Sequence, residues 1–240
     1  KKLRKASSLF VKEVFAVDLQ GIVNKKGLAD YCKITPDPDG EGDATYPEPR
    51  KVHIAYESVF GNSTPDYLQS EVLLEIGARS LFEPTDKAKV KSLVSANSTI
   101  DTTVTDVDII SAVPEKTFLE KAFLLHELFT TNGCRHANRK SRHLYDLMKM
   151  MDEPFAQKAV SDDELWNTIH HHRESFTSIK DVDYTPDIRK RIVLLPPEEL
   201  LKVWEDDYKA MQESMIYGEH LTFEELLSKM EELQIRFRSI

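Results

Sequence analysis

Two helical patterns joined by a short polar turn, over residues 115–147, constrain the fold of this chain more than any other stretch. Thr117 and Glu120 have the S/T-x-x-E spacing of a capping box, in which each side chain satisfies an orphan backbone amide at a helix start. The first helix is therefore predicted to begin near Phe118. It is predicted to end at residues 132–133, an Asn-Gly pair that takes the left-handed conformation readily.

Both helices of this stretch have an apolar face at helical spacing. Each also carries a charged residue among apolar neighbours, Lys121 on the first helix and Asp146 on the second. Burying a charge is costly unless the charge is paired or has a function. Lys121 and Asp146 are therefore expected to be the two charged groups most tightly surrounded by apolar side chains, and they are the first candidates for a functional site. The predicted inner faces consist of Phe118, Ala122, Leu125 and Phe129 on the first helix and Leu144, Leu147, Met148 and Met151 on the second.

The chain begins with an amphipathic pattern. Residues 2 to about 20 are predicted to form a helix that faces inward through Leu3, Phe10, Val14 and Val17. The acidic segment after it is rich in Pro and Gly, which predicts a solvated loop.

An antiparallel hairpin is predicted next, from residues 51–60 and 67–76, which have strand patterns on either side of a turn-like sequence. Glu75 lies in the second of these strands, between Leu74 and Ile76. Two interpretations of this carboxylate are open: it points to solvent from an open face of the sheet, or it is held in a site.

The pattern changes near the middle of the chain. Residues 86–94 are predicted to form a short helix and residues 104–110 an edge strand, and from there on the periodicity is helical. A boundary is therefore expected near residue 112, with an α/β region over residues 1–112 and a helical domain over residues 113–240.

Within the second half, further helices are predicted over residues 155–160 and 163–172 and after the prolines 196–197. Thr222 and Glu225 form a second capping box, which predicts the start of a last helix.

Composition excludes several classes of protein. The chain has 240 residues and a net charge of -9, so it has no overall electrostatic attraction to nucleic acid, although a local basic site is still compatible with this charge. Its only cysteines, Cys32 and Cys134, do not have metal-ligand spacing and favour a reducing, cytoplasmic environment. No apolar run approaches the roughly 20 residues that span a bilayer, so no membrane association is expected.

Familiar catalytic motifs are absent: the sequence contains no GxSxG, HExxH, P-loop or GxGxxG. Cys134 and His136 lie two residues apart in a polar turn, a weak basis for a catalytic dyad. Residues 170–172 are all histidines, but consecutive helical residues point about 100 degrees apart, so the three do not converge on one metal ion. What remains is a strand carboxylate, a helix lysine and the segment R-H-L-Y-D-L. This combination suits phosphoryl chemistry, in which carboxylates hold Mg²⁺ and cations neutralise a triphosphate.

Four segments, in order, carry a resemblance to a known family: EVLLEIGARSLFEP (71–84), EKTFLEKAFLLHE (115–127), SRHLYDL (141–147) and DDYKAMQESMIYGE (206–219). Together they resemble the AbiEii/AbiGii toxin family of nucleotidyltransferases, a branch of the DNA polymerase beta-like superfamily, over most of the chain. The resemblance implies an α+β fold, with a nucleotidyltransferase-like mixed sheet and helices followed by an all-helical C-terminal domain. It also implies the toxin of a toxin-antitoxin or phage-defence pair. The expected partners are a nucleoside triphosphate, an RNA acceptor such as tRNA, and a cognate antitoxin protein.

The resemblance further implies roles for individual residues. Glu75 matches the strand carboxylate expected to bind Mg²⁺ and to act in catalysis. Lys121 matches the helix lysine expected to contact a nucleotide phosphate, and Asp146 matches a candidate base or site organiser. Arg79 and Arg142 are expected phosphate partners because they lie close to these motifs in the sequence.

The chain departs from the family pattern at one point. The first motif of the superfamily, GG or GS followed by D-x-D, is absent, and GNSTPDYLQ at residues 61–69 lacks the acidic pair. That motif is expected to precede Lys1, and the chain as it stands is expected to bind Mg²⁺ poorly and to be inactive as a nucleotidyltransferase. The alternative is a non-catalytic helical interaction module, in which Glu75, Lys121 and Asp146 only form structural pairs.

Overall fold

The chain forms two compact units. The first consists of Lys1–Ser80 with Ala210–Gly218, and the second of Leu81–Lys209 with Glu219–Ile240. The computed structural model describes residues 2–38, 50–58, 69–77, 81–92, 96–97, 106–131, 138–185 and 187–240.

A nearly continuous helical run opens the first unit. It consists of α1 (Lys2–Phe10), a π-helical turn (Val11–Phe15) and α2 (Ala16–Lys25). The predicted helix is confirmed, but it extends past residue 20 and passes through Gly21 before it ends.

The predicted inner face of this helix is wrong. Leu3, Phe10, Val14 and Val17 are all exposed, whereas Val11 and Ala16 are buried. Helix α1 buries no residue at all. Beyond it, the π-helical turn places residues five apart, such as Val11 and Ala16, rather than three or four apart, on one side of the helix. Counting at the α-helical period across such a turn therefore selects the wrong face.

The first unit also contains a three-stranded antiparallel sheet of β1 (Cys32–Pro36), β2 (Lys51–Tyr56) and β3 (Glu71–Glu75), in the order β1-β2-β3. The predicted hairpin of β2 and β3 is confirmed, and Val52 lies opposite Leu74. A small core forms where one face of this sheet meets the helical run. Its buried members are Val11, Ala16 and Val52, with Phe15, Leu19, Ile34, Leu74 and Ile76 partly buried around them.

In the second unit, β4 (Thr85–Val90) pairs with β5 (Val107–Ala112) in an antiparallel sheet. The predicted strand at β5 is confirmed, and the predicted helix over residues 86–94 is wrong. Lys and Ala favour helices locally, but the backbone of β4 is paired along its whole length with β5, and such pairing overrides a weak local preference.

The α+β class with a helical C-terminal region is confirmed. The sheets differ from the expected mixed sheet, because every strand pair in the described part of the chain is antiparallel. The boundary expected near residue 112 stays a prediction.

Helix α3 (Pro114–Thr130) begins one turn earlier than predicted. Pro114 occupies its first position, where the missing N–H is no loss, and the Thr117 N–H already donates to the carbonyl of Val113 at 3.2 Å. The capping box of Thr117 with Glu120 is therefore wrong, while the predicted apolar face of α3 is buried as expected. The predicted end at residues 132–133 lies outside the described residues.

The rest of the second unit is helical. Asp162 caps its helix by accepting from the Leu165 N–H at 2.9 Å, and Thr222 and Glu225 form the predicted capping box. No helix in the described ranges is long and apolar enough to cross a membrane. The helices are α4 (Arg142–Met150), α5 (Pro154–Val160), α6 (Asp163–His172), α7 (Leu201–Met215) and α8 (Phe223–Arg238), with a π-helical turn (Arg173–Thr177) and 3-10 turns (Ile188–Arg191 and Glu198–Leu200). Only the part of α7 up to Lys209 belongs to the second unit.

Candidate functional site

Lys121 on α3 and Asp146 on α4 form an ion pair, with Nζ 2.7 Å from Oδ2. The two side chains are 23% and 38% exposed, so the pair lies at the rim of the helical core. An ion pair in this position can exchange one partner for a charged ligand without leaving a fully buried charge unpaired. The structure therefore brings together two of the predicted site residues.

Arg142 and His143 extend this site along α4. Arg142 is exposed and stands one helical turn before Asp146, a spacing that places both on the same side of the helix. The pKa of His143 is lowered to about 4, chiefly by burial and then by the positive charges of Lys121 and Arg142. His143 is therefore neutral near pH 7, and its buried Nδ1 has no hydrogen-bond partner among the described residues.

His143 was not among the site residues predicted from the sequence. A signal was present, because His143 precedes Asp146 by three residues in the segment R-H-L-Y-D-L, and positions three apart are neighbours on a helix.

The turn before α4 is held by Asp207 of α7, which the sequence analysis also missed. Its carboxylate accepts hydrogen bonds from the backbone N–H groups of Arg139, Lys140 and Ser141 at 2.6, 3.1 and 2.9 Å. The Ser141 hydroxyl donates to the same carboxylate at 2.5 Å.

Lys121 and Asp146 are not the most deeply buried charges, so that expectation is wrong. Glu127, six residues after Lys121 on α3, is fully buried. Its carboxylate accepts hydrogen bonds from both Nε and Nη2 of Arg173, the first at 2.8 Å, and from the Tyr184 hydroxyl at 2.7 Å. We call these three side chains the Glu127 hub.

The contacts of the Glu127 hub shift the pKa values of Arg173 and Tyr184 upward. Burial acts to lower the pKa of Arg173, but the hydrogen-bonded carboxylate of Glu127 outweighs burial and leaves that pKa above its ordinary value. Burial, followed by the same carboxylate, raises the pKa of Tyr184. The hub is therefore a fixed charge pair with a neutral phenol.

Glu75 lies in the first unit, whereas Lys121, Asp146 and Arg142 lie in the second. Because Leu74 shares a face with the buried Val52, Glu75 is on the opposite face of the sheet. Its carboxylate is 47% exposed and lies 3.9 Å from Arg50 and 3.7 Å from Lys51. Within its unit, Glu75 therefore points to solvent from an open face of the sheet, which is the first of its two interpretations. Arg79 lies outside the described residues.

The described surroundings of Glu75 do not fit a magnesium site. Mg²⁺ requires several oxygen ligands, usually including more than one carboxylate or phosphate. Among the described residues, Glu75 forms ion pairs with the cations Arg50 and Lys51, and the carboxylates of Glu71 and Asp37 are both engaged by His53, at 2.9 Å each.

Another group of three potential metal ligands occurs among the described residues. It consists of His170, His171 and Glu174, whose ligand atoms lie within 4.8 Å of one another. His172 is not part of this group. The Nε2 of His170 contacts the carbonyl of Tyr184 at 3.0 Å, and nitrogen ligands do not suit Mg²⁺.

Comparison with known families matches residues 9–229 to the family described as "Nucleotidyl transferase AbiEii toxin, Type IV TA system". An α+β chain with a charged pair exposed at the rim of its helices is compatible with this class of nucleotide-handling enzymes. The chain belongs to the AbiEii nucleotidyl transferase toxin family. The family implies a nucleotide substrate and an antitoxin in general terms. No curated protein and no solved structure matches the chain significantly.

Proposed function

We propose that the chain binds a nucleoside triphosphate at the Lys121–Asp146 pair, as part of the transfer of a nucleotide to an RNA acceptor such as tRNA. The observation that carries this proposal is the 2.7 Å ion pair at the rim of α3 and α4. Lys121 and Arg142 supply positive charge there, and the exposure of the pair leaves room for a ligand to approach. Family membership supports the reaction class.

The chemistry follows from the charges. In nucleotidyl transfer an acceptor hydroxyl attacks the α-phosphorus, the bond to the β-phosphate oxygen breaks, and pyrophosphate leaves with negative charge. Lys121 and Arg142 neutralise phosphate charge. Asp146 orients the Lys121 ammonium through the hydrogen bond between them, or it takes the proton of the acceptor hydroxyl; both roles are compatible with its position.

The proposed reaction includes no step that uses Mg²⁺ or Glu75. Mg²⁺ is the cofactor that the family resemblance predicts, with Glu75 as a ligand, but the described residues around Glu75 provide one carboxylate beside two cations. Arg79 stays a predicted phosphate partner.

We expect nucleotide binding without transfer from this 240-residue sequence, because it contains no G-S or G-G followed by D-x-D. The test is incubation of the chain with labelled nucleoside triphosphates, Mg²⁺ and total tRNA. Magnesium-dependent transfer that survives Glu75→Ala would contradict this expectation.

Binding is tested by calorimetric titration of ATP, GTP, CTP and UTP, each with Mg²⁺, into the unsubstituted chain and two variants. Lys121→Met should weaken binding at least about tenfold, since it removes a charge-assisted hydrogen bond of about 1.5–3 kcal/mol. Lys149→Met is the matched control, because Lys149 is an exposed cation on α4 whose Nζ lies 5.5 Å from the centre of the Tyr145 ring. Its effect should be at most about twofold. If none of the four nucleotides binds the unsubstituted chain, the proposal is wrong.

The alternative function is a non-catalytic helical interaction module. It is favoured by the fact that Lys121 and Asp146 satisfy each other without a ligand. A double variant, Lys121→Met with Asp146→Leu, separates the two functions. If the ion pair is purely structural, replacing it with two apolar side chains should leave ligand binding unchanged. If the pair is part of the proposed site, the double variant should bind nucleotide more weakly.

A further inference from the structure

Asp207 reaches from α7 to the start of α4 and satisfies four donors with one carboxylate. Three of them are consecutive backbone amides, those of Arg139, Lys140 and Ser141, and the fourth is the Ser141 hydroxyl. The N–H groups at the start of a helix have no partner within the helix. Asp207 accepts from the N–H of Ser141, the N-cap residue of α4, and from the two residues of the turn before it.

Two local features show how strongly the turn depends on Asp207. Ser141 is the N-cap residue of α4, yet its backbone is helical (φ -58, ψ -23 degrees) rather than extended, and its side chain makes no capping hydrogen bond within its own helix. Its hydroxyl donates to Asp207 instead. Arg139 has φ of 56 degrees, a left-handed conformation that is unfavourable for a residue with a side chain. The hydrogen bonds to Asp207 hold the backbone in this conformation.

The turn carries cations that belong to the candidate nucleotide site. Arg142 follows the turn as the first residue of α4, and Lys140 is part of it. Both residues, together with Lys121 and Asp146, act electrostatically on His143. Arg142 precedes Asp146 by one turn of α4, so the cation that follows the turn lies on the same side of the helix as the residue that binds Lys121.

We propose that Asp207 is a positioning residue of the nucleotide site, which fixes the start of α4 so that Lys140 and Arg142 stand beside Lys121 to receive phosphate groups. This inference rests on the proposed function. Asp207 does not touch the nucleotide; it acts through the backbone of residues 139–141. A carboxylate suits this role because it is acceptor-only, whereas an amide side chain would turn N–H donors toward the backbone amides.

The test compares Asp207→Asn with Asp206→Asn as the matched control. Asp206 is the adjacent acid on α7, and its carboxylate is exposed and lies 2.8 Å from Lys202. For each protein, the affinities for the best-bound nucleoside triphosphate and for the corresponding nucleoside are measured by calorimetry, at a temperature where both variants are folded. Amide hydrogen exchange of residues 139–141 is followed in parallel.

Asp207→Asn should bind the triphosphate at least about tenfold more weakly, while its affinity for the nucleoside changes by less than about twofold. The amides of residues 139–141 should exchange faster, and Asp206→Asn should behave like the unsubstituted chain. A purely structural role would lower both affinities together or neither, and either result overturns the proposal.

A milder variant covers the case in which Asp207→Asn does not fold. Ser141→Ala removes one of the four donors and should weaken triphosphate binding by a few-fold, again without changing nucleoside binding; unchanged triphosphate binding overturns the proposal. If the unsubstituted chain binds no triphosphate, the proposed function fails, and this inference fails with it. If it binds and the Asp207 and Ser141 variants bind equally well, only this inference fails.

Discussion

Helix α3 carries two ion pairs six residues apart, and their surroundings differ sharply. The Lys121–Asp146 pair is partly exposed, and its described contacts form a simple bridge between two helices. In the Glu127 hub the carboxylate is fully buried, the Arg173 side chain is 14% exposed, and the Tyr184 hydroxyl supplies a third contact.

A histidine accompanies each pair, and each histidine has a pKa of about 4 because it is buried. His126, beside the hub, accepts a hydrogen bond at Nδ1 from the Val193 N–H at 3.1 Å. The Nδ1 of His143, beside the Lys121–Asp146 pair, has no partner among the described residues. The two pairs thus differ in burial and in the hydrogen bonding of the neighbouring histidine. We expect the buried, fully bonded hub to stabilise the fold, and we propose the exposed pair as the ligand site.

The largest expected effect is on stability, from Glu127→Leu. This change leaves Arg173 buried without its carboxylate, so the free energy of unfolding should fall by about 3–5 kcal/mol. Both tryptophans, Trp166 and Trp204, lie in the second unit, so urea unfolding followed by tryptophan fluorescence reports on it. The control Glu231→Leu, at an exposed position of α8, should change stability by less than about 0.5 kcal/mol. A loss below about 1 kcal/mol at Glu127 would show that the hub does not hold the fold.

The second-largest expected effect is the destabilisation of the second unit by acid. The folded-state pKa of His126 is about 4, below its ordinary 6.5, so between these values the unfolded chain binds a proton that the folded chain excludes. The stability from neutral His126 is present above pH 6.5 and is lost as the pH falls toward 4. This difference corresponds to about 3 kcal/mol at most.

The same fluorescence measurement at pH 7 and pH 5 checks this prediction, and His126→Gln should flatten the pH dependence of unfolding. An unchanged slope in this variant would show that His126 is protonated in the folded protein, which would break the parallel between the two histidines.

A smaller effect on stability is expected at the exposed pair. Asp146→Asn removes a partly exposed ionic contact, so the free energy of unfolding should fall by about 1 kcal/mol or less. Urea unfolding under the conditions used for Glu127→Leu gives the direct comparison. An equal loss for the two variants would mean that both pairs are structural, as the interaction-module alternative requires.

Arg142→Gln should have the smallest effect on stability, within about 0.5 kcal/mol, because Arg142 is exposed. Its triphosphate affinity should nevertheless fall by a few-fold at low salt, and the difference from the unsubstituted chain should shrink at high salt, where exposed charges are screened. Calorimetric titration at two salt concentrations measures this. A difference that is independent of salt would exclude a direct charge contact with phosphate.

Some of these features follow from sequence alone. The helical spacing of Phe118, Ala122, Leu125 and Phe129 predicted the buried face of α3, and the capping box of Thr222 with Glu225 predicted the start of α8, because both depend on residues within one or two turns of each other. The family resemblance was likewise contained in four local segments, and the family match confirms it.

Other features were decided only by tertiary structure. Glu127 lies one turn after Phe123 on α3, and only the folding of Arg173 and Tyr184 against it makes that buried position tolerable for a carboxylate. Asp207 holds the turn before α4 through Ser141, which lies 66 residues earlier in the chain, and β4 is a strand because β5 pairs with it. The physical reason is the same in each case: the partner that satisfies the charge or the backbone group is distant in the chain, so local periodicity does not contain it.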